Sequence, residues 1–445
     1  MPGVPSGRGC DACRKQKKKC DVAGGTCSRC KRLQIHCIGS GKQRYKFVHT
    51  KEYSLDCARQ APAADAITLP LRDNSLSTTI IKPIPTNRHT QRIAAFIDKL
   101  NPLRGVKYNL AWSYGDYLLD VPARLGSNEA LDAAADALIT ASDRLSAGYA
   151  GQSYQFLAKY TEAVRVLRLC LNDQWTARTS ETLCAVMLLT ICQIFVPGRK
   201  DRLASHSEGA AQIYRYRGRQ KGRDDFERKL ICTLRGPVLF EALFNENINL
   251  TAEEWDELIG AKPDSASLEG QMMSFLARAP TLMRRGGFVL GRESRMQEAS
   301  PSIEHEAHVL HQDFLPVLAG FRERFHAIET PNGSGNADAK LMIELRNCHY
   351  LRTYGLGLFV GIVLNYIISM SGGGSSRTSE VSQCYGDEIV VLARAASRYR
   401  PLGAGALSVC LAAVSSTSNS AETKAAAEEL LFEYDRDFRD VCTYS

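Results

Sequence analysis

The sequence predicts a small metal-stabilised domain at the N-terminus followed by one large all-α domain, and three observations carry that expectation. Six of the 15 cysteines fall within 28 residues, at Cys10, Cys13, Cys20, Cys27, Cys30 and Cys37. The first 50 residues hold 12 Lys+Arg against 2 Asp+Glu, whereas the remainder holds 44 against 46. Beyond about residue 88 the apolar residues recur at helical spacing and strand-like alternation is nearly absent, which is the pattern of packed helices. A chain of 445 residues with 44% apolar content exceeds the size at which one core stops growing, so more than one domain is expected.

The cysteines form an internal repeat. Residues 10–20 and 27–37 each read C-x2-C-x6-C, offset by 17 residues, which implies two equivalent half-sites. Zinc takes four thiolate or imidazole ligands in a closed tetrahedral site, so two ions need about eight ligations, and six cysteines supply them only if two sulfurs bridge. A disulfide scaffold is the competing reading. No apolar segment lies between Met1 and Gly9 to direct the chain to an oxidising compartment, so thiolates are expected. His36 adjoins Cys37, but six thiolates already suffice, and it is read as a surface neighbour.

The basic excess sits on this module, the electrostatic footprint of a polyanion binder. Two zinc ions and six thiolates leave a net negative core, so some of the lysines neutralise the cluster and the rest are free to face phosphate. The halves differ. The first spacer is Arg14-Lys15-Gln16-Lys17-Lys18-Lys19, almost wholly basic, and reads as the DNA-contacting half. The second, Lys31-Arg32-Leu33-Gln34-Ile35-His36, carries apolar Leu33 and Ile35 and reads as a packing partner. A short helix after Cys10 would present lysines to the major groove, where they donate to guanine. Lys42 and Arg44, interleaved with Tyr45 and Phe47 beyond the last cysteine, extend the basic surface along the DNA backbone. The same basic run suits nuclear import.

The six-cysteine pattern, with the run from Cys13 to Asp21 between ligands, resembles the fungal binuclear zinc cluster, the DNA-binding domain of a family of transcription factors. The resemblance implies two zinc ions, with Cys10 and Cys27 as the bridging ligands. It implies a base contact from Lys17, with Gln16 standing where some relatives have another lysine, and double-stranded DNA containing CGG half-sites as the partner. Gly24-Gly25 replaces a proline common in the loop before the fourth cysteine; two glycines permit that turn without fixing it. Residues 179–195, 206–211 and 215–218 resemble, more diffusely, the middle of the fungus-specific helical transcription factor domain that often accompanies the cluster.

The expected organisation is therefore a binuclear zinc-cluster domain over 8–48, a linker over 49–88 and an all-α regulatory domain over 89–445. Residues 2–9 read as a flexible tail. The linker lacks periodicity and contains Pro62, Pro70, Pro83 and Pro85. No heptad seam follows it, so dimerisation through a zipper is not expected, and any homodimer would form through the helical domain. Helices are predicted over 153–171 and 183–196, the second apolar nearly all round and capped at Thr179, and after a capping box at Thr251 and Glu254. Gly236-Pro237 is expected to break or kink the helix around it. Leu430, Leu431, Tyr434, Phe438 and Val441 share one helical face, so a docked final helix is favoured over an acidic activation tail.

Several features are set aside. Residues 354–370 approach the length of a membrane span but include three glycines and Asn365, and read as a buried core helix, with no membrane partner. His305, His308 and His311 lack the i, i+4 spacing of a metalloprotease helix and read as a polar surface. Cys170, Cys184, Cys192 and Cys410 read as small core residues, and the matches to glycosylation acceptors at Asn249 and Asn332 as chance. No catalytic motif appears. The reading is a nuclear, zinc-dependent, sequence-specific transcription regulator of RNA polymerase II promoters, dedicated to one pathway, whose helical region recruits the transcription machinery or co-regulators. The alternative is an enzyme or small-molecule-binding protein built on that helical region.

Overall fold

The helical periodicity after residue 88 becomes α-helices throughout the described chain, and no strand occurs among the described residues. The computed structural model describes residues 10, 12–13, 18–21, 26–35, 37, 87–101, 105–147, 153–196, 206–217, 224–259, 267–290, 301–328 and 337–438. The expected N-terminal tail and almost all of the expected linker lie outside them. The chain divides into two compact units, Met1–Ile80 and Ile81–Ser445. In the first, the described helix of any length is α1 (Ser28–Arg32).

The second unit opens with α2 (Arg88–Lys99), whose N-cap Asn87 accepts from the Thr90 amide at 2.8 Å. Two short helices follow, α3 (Gly105–Tyr108) and α4 (Leu110–Tyr114). Helix α5 (Glu129–Ala147) packs against α2, α6 (Ser153–Asn172) and α7 (Ser180–Gln193). Arg92 ties α2 to α5 by meeting Asp132 and Asp136 at 2.7 Å each. Helix α7 is buried on nearly all sides, and Thr179 caps it by accepting the Thr182 amide at 3.2 Å. It touches α8 (His206–Arg217), which in turn lies on α9 (Asp225–Ala242). A buried ion pair, Arg217 to Glu227 at 2.7 Å, with Ser180 within reach of both, locks α7, α8 and α9 together.

The C-terminal half comprises α10 (Ala252–Ile259), α11 (Leu268–Arg285), α12 (Pro301–His326), α13 (Ala337–Ile368), α14 (Ser376–Ala396), α15 (Leu407–Thr417) and α16 (Ala421–Arg436). Before α10 the capping box forms in full: the Glu254 carboxylate accepts the Thr251 amide at 2.8 Å and the Thr251 hydroxyl accepts the Glu254 amide at 3.2 Å. Helix α13 is the axle of this half, packing against α11, α12, α14 and α15. It is long and apolar enough to cross a membrane by length and composition, yet 72% of its most apolar window is buried inside the unit, as expected of a core helix. Its three glycines mark close approaches. A Cβ at Gly355 would meet Leu407 of α15, one at Gly357 would lie 3.1 Å from Leu318 and Phe321 of α12, and one at Gly361 would lie 2.7 Å from Tyr385 of α14.

The final helix docks. Leu430 and Tyr434 are buried, the Tyr434 hydroxyl donates to the Ala393 carbonyl at 2.8 Å, and Arg400 pairs with Glu433 and Asp437. Phe438 meets Phe195 edge-on, with ring centroids 5.4 Å apart; Val441 lies outside the described residues. Two expectations need correction. Helix α9 runs unbroken through Pro237, because Leu230 and Leu234 before it and Val238 and Leu239 after it are buried on one continuous face. That packing outweighs the cost of about 3 kcal/mol for an interior proline. And the histidine row on α12 is not uniformly surface: His305 is exposed, but His311 is buried beside Tyr385, and burial holds its pKa below the usual histidine value. Of the four cysteines expected in the core, Cys184, Cys192 and Cys410 are buried and Cys170 is half-buried.

Candidate metal centre

Within the first unit the only buried side chains among the described residues are sulfurs: Cys10, Cys13, Cys27 and Cys30 are each at most 1% exposed, with Cys20 and Cys37 packed against them. A module this small has no room for an apolar core, and the thiols take its place. Leu33 and Ile35, read from sequence as a packing face, remain 45% and 39% exposed for the same reason.

The repeat in sequence is a repeat in structure. The Cys10 amide donates to the Cys20 sulfur at 3.3 Å, and the Cys27 amide donates to the Cys37 sulfur at the same distance. The Lys18 amide donates to the Cys13 carbonyl at 3.0 Å, and 17 residues later the Ile35 amide donates to the Cys30 carbonyl at 3.0 Å. Each half thus folds its third cysteine back onto its first. In the second half the device is visible throughout. Cys27 N-caps α1, its sulfur accepting from the Cys30 amide at 3.4 Å, so that the two sulfurs of the C-x2-C pair share one side of a helical turn. The helix then closes through Gln34 at φ +51°, with the Gln34 amide on the Lys31 carbonyl and the Ile35 amide on Cys30, a paired C-terminal closure that normally uses glycine.

Together the halves place the sulfurs in two tetrads, Cys10, Cys13, Cys20 and Cys27 on one side, and Cys10, Cys27, Cys30 and Cys37 on the other, each with all atoms within 4.8 Å of one another. Cys10 and Cys27 belong to both. The sulfur separations of 3.7 Å for Cys10 and Cys27, 3.6 Å for Cys10 and Cys30 and 3.8 Å for Cys13 and Cys27 are too long for disulfides, whose sulfurs sit about 2.05 Å apart. They match the edge of a tetrahedron with zinc–sulfur bonds of about 2.3 Å, which is about 3.8 Å. Without a cation the Cys30 amide favours the Cys27 thiolate, but burial and the crowding of neighbouring thiols prevail, pushing Cys27 up to about 12 and raising Cys10 as well. Divalent metal is what makes such a packing of sulfur favourable.

Two contacts that the cysteine spacing does not reveal join the halves. The Asp21 carboxylate accepts the Ser28 amide at 3.0 Å, and hydrogen bonding from the Ser28 side chain, foremost, and from backbone amides holds its pKa below the ordinary value. The Arg29 guanidinium lies 3.9 Å from the Cys13 sulfur, a cation against the anionic cluster. Comparison of the repeats carries the signal: Arg29 stands where the first half has Ala12. Of the residues predicted to meet DNA, Lys18 and Lys19 are exposed on the surface next to Cys20. Arg14, Lys15, Gln16, Lys17, Lys42 and Arg44 lie outside the described residues, as does His36.

Buried sulfurs in two fused tetrads beneath exposed lysines define a class: a zinc-organised nucleic-acid-binding module. Residues 8–46 match the fungal Zn(2)-Cys(6) binuclear cluster domain, so the chain carries that domain, which binds two zinc ions and belongs to DNA-binding transcription regulators. No curated protein and no solved structure matches the chain.

Proposed function

We propose that the chain is a nuclear, sequence-specific regulator of RNA polymerase II promoters serving one pathway, in which residues 8–48 read DNA, 49–88 link, and 89–445 regulate by recruiting co-regulators or the transcription machinery. The observation that carries the metal assignment is the sharing of Cys10 and Cys27 by both sulfur tetrads. Six cysteines hold two zinc ions, Cys10 and Cys27 bridging, with Cys13 and Cys20 completing one site and Cys30 and Cys37 the other. The metals supply the folding free energy of a module that has no other core. Arg14, Lys15, Gln16, Lys17, Lys18 and Lys19 face the duplex, Lys17 reading a base edge in a CGG half-site, while Lys42 and Arg44 follow the phosphates. No residue is assigned a catalytic role.

Elemental analysis of the purified full chain tests the cluster. Two zinc ions per chain are expected. Cys27→Ser should lose both, while the helical signal of the second unit persists. One zinc per wild-type chain, or an unchanged content in Cys27→Ser, would refute the bridged arrangement. Selection of bound duplexes from a random pool tests the DNA reading, with enrichment of CGG expected.

A further inference from the structure

Helices α6, α7 and α8 leave between them an open groove of about 880 Å³, within the range of about 300–1,000 Å³ typical of small-ligand sites. Its apolar lining comes from Val164 and Leu167 of α6, Val186 of α7 and Ile213 of α8. Its polar groups are cationic or neutral. Arg168, His206 and the amides of Asn172, Gln174 and Gln212 line it, and no carboxylate does among the described residues. A second cation lies close by: the Arg178 guanidinium stacks 4.5 Å over the ring of Tyr216, itself a lining residue. His206 is held in place by the Tyr160 hydroxyl at 2.7 Å from its Nε2.

Gly209 is an independent sign that the space is kept open. It sits inside α8, where glycine costs about 1 kcal/mol relative to alanine. Unlike the glycines of α13, it is not required by a close neighbour: a Cβ there would meet nothing within 4 Å, and its backbone is helical. The glycine deepens the groove it lines. An apolar trough with cationic and amide groups along its edge, and no acid, complements a molecule with an apolar body and one anionic group.

We propose that this groove is a binding site for a small amphipathic organic anion, a carboxylate or sulfonate on an apolar skeleton, held by Arg168 at its charged end and by the floor of α6, α7 and α8 along its body. Binding there would bring an effector to the helical unit. The inference does not depend on the DNA-binding reading, since every measurement below is made without DNA.

The test titrates the full chain with 8-anilinonaphthalene-1-sulfonate as a fluorescent organic anion. One saturable site per chain is expected, displaced by decanoate and much less by decanol. Arg168→Gln should weaken the site about five-fold or more, and Gly209→Phe, whose ring would occupy the groove, should abolish it, both with thermal midpoints near that of the wild type. Should Gly209→Phe fail to fold, Gln212→Trp on the exposed lip replaces it. Absence of a saturable site, equal displacement by decanol, or full binding by either groove-filling variant overturns the proposal. Displacement by an acidic amphipathic peptide but not by decanoate overturns it too, in favour of a docked protein segment.

Discussion

Lys17 and Lys42 flank the last four cysteines of the cluster in sequence, and under the proposed reading duplex chemistry gives them separable duties. A side chain at a base edge discriminates between sequences, whereas a phosphate contact adds affinity to every sequence and carries the salt dependence. Lys17→Ala is expected to cost about 1–3 kcal/mol on the preferred site and much less on scrambled DNA. Lys42→Ala should weaken both equally and reduce the slope of log affinity against log salt by about one. Titrations on both duplexes at several salt concentrations decide; an equal loss on both for Lys17→Ala would move base readout to Gln16 or Lys18. A second residue-scale expectation concerns Gln34, the one non-glycine residue at positive φ among the described residues. Glycine adopts that conformation without the Cβ penalty, so Gln34→Gly should stabilise the module by about 0.5–1 kcal/mol, read as slower zinc loss to a chelator. A faster loss would show that the Gln34 side chain contributes more than its backbone conformation costs.

At the scale of elements, helices that sequence reads correctly are those whose determinants are local. The capping box at Thr251 and Glu254 and the cap at Thr179 involve residues three apart, so spacing alone reveals them. The cysteine repeat is legible for the same reason, since ligation demands fixed spacing. Pro237 does not break its helix and His311 does not lie at the surface, because packing decides both: buried neighbours on both sides carry α9 through its proline, and α14 covers one end of a histidine row that looks polar in sequence. The groove was invisible, since no segment encodes the juxtaposition of α6, α7 and α8. Glycine shows the same division and supplies a paired test. Gly361 and Gly209 are both helical, but a Cβ at the first would press 2.7 Å from the buried Tyr385 ring and at the second would meet open space. Gly361→Val should destabilise the helical unit by about 1–3 kcal/mol through overpacking, whereas Gly209→Ala should stabilise it by up to about 1 kcal/mol. Denaturant midpoints measure both, and equal effects would refute the packing described for α13.

For the whole molecule, the two units rest on different chemistry, and acid should separate them. In the cluster, protons compete with zinc for thiolates, and burial already raises Cys10 and Cys27 above the ordinary thiol range when no cation is present. Metal affinity therefore falls steadily as pH is lowered. The helical unit instead depends on carboxylates held ionised. Glu269 on α11 accepts from the His349 imidazole at 3.0 Å and from Arg324 at 2.7 Å, and these partners, His349 foremost, bring it down from 4.5 to about 2. A depressed carboxylate contributes stability that is fully present above its unfolded value and is lost as pH falls through the folded one. The window is thus from about pH 4.5 down to about 2. Glu269 is only half-buried, so solvent screening limits its contribution to about 1 kcal/mol. Glu269→Gln, which cannot ionise, should be less stable than the wild type by that amount at pH 7, and the gap should close towards pH 2. Acid titration of the full chain should then show zinc release, followed by a metal-sensitive dye, before the loss of helix seen by circular dichroism. Simultaneous transitions would mean that the helical unit depends on the cluster, and a gap between wild type and Glu269→Gln that persists at pH 2 would remove Glu269 as its source.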